Sequence, residues 1–324
     1  MTVTATLLAL CLWTDANAVQ AQQYPSRPIK IVIGTSVDVF SRIIGEQLYR
    51  TWGQPVVIEL RPGAGGSIAA TTVSTAAPDG HTLLFATPTY TLNTALNLAS
   101  YDLLKDFEPV SLVTTGTYVL FVHPSVPAKS VAELAAFAKA QPGGISCASP
   151  GIGTAPHLAC EMFSKAARAN VVHVPYRNVM SAMAGMLSGD AEMSFAVSPI
   201  AAPQMQSGTV RGLAVTAEQR SPFLPDLPTM AESGFANFVM QSWGGFLAPA
   251  ETPREVVQQL NTEIQRVVKM PDVQQRLAAL GGTRLPPYTP AEVGAFLKND
   301  IARWSRLVQV TGLEKLRKPD AAPR

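Results

Sequence analysis

The chain is poor in the residues that carry most enzymatic chemistry. Its 324 residues hold only three cysteines and four histidines, with no Gly-x-Ser-x-Gly, His-Glu-x-x-His or Cys-x-x-Cys arrangement. The strong signatures of a hydrolase elbow, a zinc protease and a dithiol or zinc site are therefore missing. His81, His123 and His173 each border an extended segment and read as structural, and His157 with Cys160 lacks the third group a nucleophilic pair would need. We expect no catalytic residues, no metal and no cofactor. Charge is sparse and balanced, 25 basic against 23 acidic residues, and the basic ones form no run. That excludes the electrostatic footprint of a nucleic-acid or membrane-surface binder.

Long hydrophobic runs are also scarce. The N-terminal stretch Leu7–Trp13 is too short to span a bilayer, and small residues near Ala18 and Ala21 suit signal-peptidase cleavage. No Lys or Arg precedes Arg27, so the basic n-region is absent. The rest of the layout still reads as a signal peptide over residues 1–21 and export to the periplasm. Cys11 leaves with it. Cys147 and Cys160 remain, either as a disulfide in an oxidising compartment or as two buried thiols.

What is abundant is proline (26), glycine (23) and hydrophobic residues (47%), the composition of a compact chain with many short connections. Strand and helix patterns alternate from Pro28 onward, which predicts an α/β fold. Strands are expected at 29–33, 56–60, 82–85, 145–148, 171–174, 191–195 and 213–216, with extended segments at 110–113 and 118–122 and a return strand at 243–248. Asp38 is placed to cap the first helix and Thr289 the last. A first crossing between two lobes is expected at His123-Pro-Ser-Val-Pro127. The lobes are then 24–122 plus 245–324, and 123–244.

Several polar loops fall at the C-terminal ends of strands, where open α/β sheets place ligands. Thr87-Pro-Thr89-Tyr90 is one such hydroxyl-bearing loop. The stretch Ser146–Phe163 is another: Ser149, Gly151, Gly153 and Thr154 let a backbone approach an anion, with a helix N-terminus behind them. A tight strand-to-helix turn accounts for the same glycines. Arg61-Pro-Gly-Ala-Gly-Gly66 lacks the third glycine of a dinucleotide fingerprint and the Lys-Ser/Thr of a P-loop, and reads as a turn.

These segments, together with Tyr24-Pro-Ser-Arg-Pro-Ile29, Ala77-Pro-Asp-Gly80, Asp106-Phe-Glu-Pro-Val110, Val172-His-Val-Pro-Tyr176, Leu224-Pro-Asp-Leu-Pro228 and Ile301-Ala-Arg-Trp304, occur in an order that resembles the Bug family. Members are periplasmic receptors of tripartite tricarboxylate transporters. The resemblance implies a two-lobed periplasmic-binding-protein fold (type II-like), each lobe a mixed, mainly parallel sheet flanked by helices, joined by two crossover segments. It implies a monomer that closes on a small dicarboxylate, tricarboxylate or aromatic acid and delivers it to a transporter's membrane components or to a sensor kinase. By matching position, Thr35, Ser36 and Asp38, then Thr87 and Thr89, then Ser149, Gly153 and Thr154 surround a carboxylate, with Ala196 and Val197 near the distal end. If the Thr154 hydroxyl binds the carboxylate, Thr154→Val is expected to weaken binding and leave stability unchanged. The first-strand loop Gly34–Asp38 is about three residues shorter than is usual in the family, which opens a second expectation, an orphan receptor with a sensing or scavenging role. A hydrolase on the same fold is the third.

Overall fold

A computed structural model describes residues 24–283, 285–311 and 316; the expected signal peptide lies outside them. The chain opens with β1 (Ile29–Ile33), α1 (Val39–Trp52), β2 (Val56–Leu60), α2 (Ser67–Ser74), β3 (Thr82–Ala86) and α3 (Pro88–Ala95). β4 (Phe107–Val122) follows, then α4 (Val131–Ala140), β5 (Ile145–Ser149), α5 (Ala155–Ala167), β6 (Val171–Pro175), α6 (Val179–Ser188), β7 (Met193–Val197), α7 (Ser198–Gln206) and β8 (Arg211–Val215). The chain returns through β9 (Gln241–Pro249) to α8 (Arg254–Val268), α9 (Pro271–Ala279) and α10 (Pro290–Thr311).

Two mixed sheets form two lobes. The first has the order β2-β1-β3-β9-β4, and the second is built on β4, β7, β5 and β6, with β8 also pairing β4. β1 pairs β2 and β3 in parallel, and β5 pairs β6 and β7 in parallel. Alternation across each sheet builds a core on both faces. Ile31, Ile33, Leu83 and Phe85 pack with Ile44 and Leu48 of α1 and Leu260 and Ile264 of α8. Val32 and Leu84, one residue out of phase, pack with Val73, Tyr90 and Trp243.

β4 is shared by both lobes. Its first part runs antiparallel to β9, from Phe107 opposite Pro249 to Thr117 opposite Gln241. From Tyr118, opposite Val197, it pairs with β7 and then β8. The two extended segments expected at 110–113 and 118–122 are thus one strand. The polar Thr114-Thr-Gly-Thr117 run looked like an interruption because it lines the space between the lobes, while its backbone stays in the β9 ladder. The change of sheet partner falls here, several residues before His123.

The helix N-termini differ in how their caps are used. Thr289 and Glu292 form a reciprocal cap at the start of α10, the Glu292 N–H donating to Thr289 Oγ1 and the Thr289 N–H to Glu292 Oε2. Asp38 occupies the N-cap position of α1 but makes no capping bond. It is helical itself (φ −87°, ψ −9°), and its carboxylate is drawn instead to Arg42 one turn on, accepting from Nε at 2.7 Å. Asn178 is extended and caps α6, accepting from the Ser181 N–H at 2.9 Å. Cys147 and Cys160 are joined, which ties the middle of β5 to the second turn of α5.

Candidate ligand-binding cleft

Strand ends and helix starts from both lobes converge on one cleft. Thr35 to Val37 come from the β1–α1 connection, Thr87 and Thr89 from the start of α3, Thr114 to Tyr118 and Ser242 to Gly244 from the crossover strands. The second lobe contributes Pro150, Thr154, Pro156 and Ala196 to Pro199, and the turn after α9 adds Leu280 to Gly282. The space between them measures about 690 Å³, including the part open to solvent, which suits a small ligand.

No charged or imidazole side chain appears among the described residues that line it. Binding must therefore come from hydroxyls, backbone N–H groups and helix N-termini, which favour an acceptor-rich, anionic ligand. α3, α5 and α7 each direct their N-terminus here and each has proline in its first two positions, where a missing N–H costs no helical bond.

Of the residues expected at the site, Thr35, Ser36, Thr87, Thr89, Thr154, Ala196 and Val197 line the cleft, whereas Asp38, Ser149 and Gly153 do not. Asp38 is held off by its ion pair with Arg42. Ser149 Oγ accepts from the Gly151 N–H at 3.1 Å and sits 2.6 Å from His173 Nε2. Gly153 donates its N–H to His157 Nδ1 at 3.2 Å. Thr89 stands on the first turn of α3 rather than on a loop, because Thr87 is extended (φ −141°, ψ 172°) and the helix starts at Pro88.

Thr154 reaches the cleft, yet its hydroxyl is engaged within the protein. It donates to the Gly151 carbonyl at 2.7 Å and accepts from the His157 N–H at 3.4 Å, as the N-cap of α5. The Ala155 N–H in turn donates to Thr89 Oγ1 at 3.4 Å, a bond between the two lobes. The expected anion nest is thus largely satisfied from within. Behind it, the His173 and His157 rings lie tilted at 32° to each other with centroids 3.9 Å apart. Burial, reinforced by His157, pushes His173 down to about 4, so it is neutral at neutral pH.

The lobes also meet at two glycines, one on each. Asn93 Nδ2 of α3 donates to the Gly65 carbonyl at 2.8 Å. A Cβ on Gly65 would lie 2.9 Å from the Ile152 carbonyl oxygen, and one on Gly153 would lie 2.5 Å from Asn93 Oδ1. Both glycines have positive φ, +60° and +78°. The Arg61–Gly66 segment is therefore a turn whose missing side chains let the second lobe approach.

Sequence reasoning missed Ser198 and the Gly281-Gly282 turn. Ser198 had a usable signal, since Val197-Ser-Pro199 repeats the cap, small-residue, proline pattern of Thr154-Ala-Pro156. The glycine pair had none, lying far from the other site residues in the chain.

The profile of the tripartite tricarboxylate transporter family receptor matches residues 40–313. The chain belongs to that family. BugT of Bordetella pertussis (strain Tohama I) is 33% identical over 304 residues, covering 92% of this chain and 93% of BugT. The structure of the periplasmic binding protein BugD superposes with a TM-score of 0.85 at 33% identity, over 89% of this chain and 99% of that one. MatC from Rhodopseudomonas palustris with bound malate superposes with a TM-score of 0.83 at 30% identity, over 88% of this chain and all of MatC's (100%). The two-lobed architecture of this receptor family is thus shared along almost the whole described chain.

Proposed function

We propose that the protein is a periplasmic receptor that captures a small carboxylate by lobe closure and delivers it to the membrane components of a tripartite transporter. The observation that carries this reading is the cleft itself. It joins hydroxyls and helix N-termini from two lobes, and its lining side chains are all uncharged, which suits reversible binding of an anion and supplies no acid–base pair for turnover. Malate bound to MatC, a relative over nearly the whole chain, supports the carboxylate class.

Residues 1–21 serve as the export signal in this reading, and the receptor acts as a monomer. The lobes divide where β4 changes partner, near Thr117, and where β9 begins at Gln241. The short first-strand loop still brings Thr35 and Ser36 to the cleft, so the orphan reading gains nothing from the geometry. Calorimetric titration with malate, succinate, adipate, citrate and benzoate tests the proposal. Saturable binding of at least one is expected, and a folded protein that binds none would sink it.

A further inference from the structure

The two crossover strands wall a second concavity besides the cleft. Thr115, Ser242 and Trp243 line both, and α10 closes the second one with Asn299, Asp300, Arg303 and Arg306. The space measures about 640 Å³, including the part open to solvent. Residues 299, 303 and 306 follow one another at spacings of four and three, which puts them on one face of the helix.

Charge distinguishes this pocket from the cleft. The cleft lining carries no charged side chain, whereas here two guanidiniums face a single carboxylate. That carboxylate is already used. Asp300 is 5% exposed, and its Oδ2 accepts from Thr91 Oγ1 at 2.6 Å and from Trp243 Nε1 and Trp304 Nε1 at 3.0 Å each. Its Oδ1 accepts from Arg303 Nε at 3.0 Å and Nη2 at 2.8 Å. Arg303 is held by those two bonds and by lying over the Trp304 ring, 4.5 Å from the centroid, with Nη1 unbonded among the described residues. Arg306 is exposed and makes no hydrogen bond or ion pair among the described residues. One positive charge is left uncompensated, and one of the two cations is fixed in place before any ligand arrives.

We propose that this pocket is an anion site separate from the cleft and that it takes a phosphate group. The donors come from three elements: the Arg303 and Arg306 guanidiniums and the Asn299 amide from α10, the Gln241 amide and Ser242 hydroxyl from β9, and the Thr115 hydroxyl from β4. A tetrahedral phosphate presents several acceptor oxygens to donors arriving from different sides, and its charge meets two guanidiniums; a planar carboxylate uses one fork. The site stands whether or not the cleft takes a carboxylate.

Calorimetric titration with inorganic phosphate in chloride buffer tests this on the wild type, on Arg306→Gln, and on Lys298→Gln, which removes an exposed cation of α10 outside the pocket. The wild type should show one saturable site. Arg306→Gln should weaken it about tenfold, as for a lost hydrogen bond between charged groups, and Lys298→Gln less than twofold. In phosphate-free buffer the melting temperature of Arg306→Gln should stay within about 1 °C of the wild type's, since the side chain has no partner to lose. Glycerol 3-phosphate, titrated in the same way, identifies the source: binding of inorganic phosphate alone marks a free-ion site, and Arg306-dependent binding of the ester marks one that admits a phosphate headgroup. No saturable binding of either probe, or binding that Arg306→Gln leaves unchanged and that therefore lies in the cleft, would overturn the proposal. So would an equal loss in Lys298→Gln, the mark of diffuse charge attraction, or a clearly lower phosphate-free melting temperature of Arg306→Gln, the mark of a structural arginine.

Discussion

Thr154→Val separates a ligand-binding hydroxyl from a structural one. Valine matches threonine in shape, so the change removes only the oxygen and its bonds. Two are lost: the bond accepted from the His157 N–H and the bond donated to the Gly151 carbonyl. Loss of an N-cap costs typically about 1 kcal/mol. The Gly151 carbonyl keeps Ser149 Oγ and the Thr154 N–H as donors, so the second loss adds about 1 kcal/mol, the net worth of an ordinary bond. The sum is about 2 kcal/mol. A folded body of roughly 290 residues unfolds with an entropy near 0.6 kcal/mol/K, so the melting temperature should fall by about 3 °C. Scanning calorimetry of the ligand-free protein measures this, with Thr154→Ser as the variant that restores both bonds. Affinity for malate should change less than about threefold. A variant that melts like the wild type but binds tenfold more weakly would show the hydroxyl turned toward the ligand and refute the capping role.

Gly65→Ala and Gly153→Ala should weaken ligand affinity at least several-fold without touching the ligand, because each added methyl meets atoms of the opposite lobe at 2.9 and 2.5 Å. Small-angle scattering of the liganded variants should show a larger radius of gyration than the liganded wild type; equal radii and equal affinities would refute the closure role. The His173 imidazole, held at about 4 against an ordinary 6.5 by burial and by the neighbouring His157, with Glu161 opposing, makes stability depend on pH. Its folded-state value is the lower one, so no stability is lost above pH 6.5; between about 6.5 and 4 the unfolded chain takes up a proton that the fold does not, and stability falls as pH falls. Melting temperatures of the wild type should therefore drop more between pH 6.5 and 4 than those of His173→Gln, and parallel curves would contradict the assignment.

Much of the fold was legible because its signals are local. The apolar strands Ile29–Ile33 and Thr82–Ala86, the stripe of α8 and the cap at Thr289 each declare themselves within one element. α3 and α7 were not read, since their short, proline-led sequences carry no clear helical periodicity. β4 was divided in two because a cleft-facing polar run resembles a loop when burial is the only guide.

The sequence by itself determined the α/β alternation, the strand-end positions of the polar loops, and the absence of strong catalytic and metal motifs, all of which follow from residue type and spacing. Only the tertiary structure decided which polar groups are free. Thr154 and Ser149 spend their hydrogen bonds inside the protein, whereas Ser198 has none to spend them on. Thr154 finds its partners three residues away on either side, but the other two depend on residues far apart in the chain: His173 lies 24 residues from Ser149, and Gly281 packs on Ser198 from another lobe. Hydrogen-bond satisfaction is a property of three-dimensional neighbours, and no reading of local pattern supplies it.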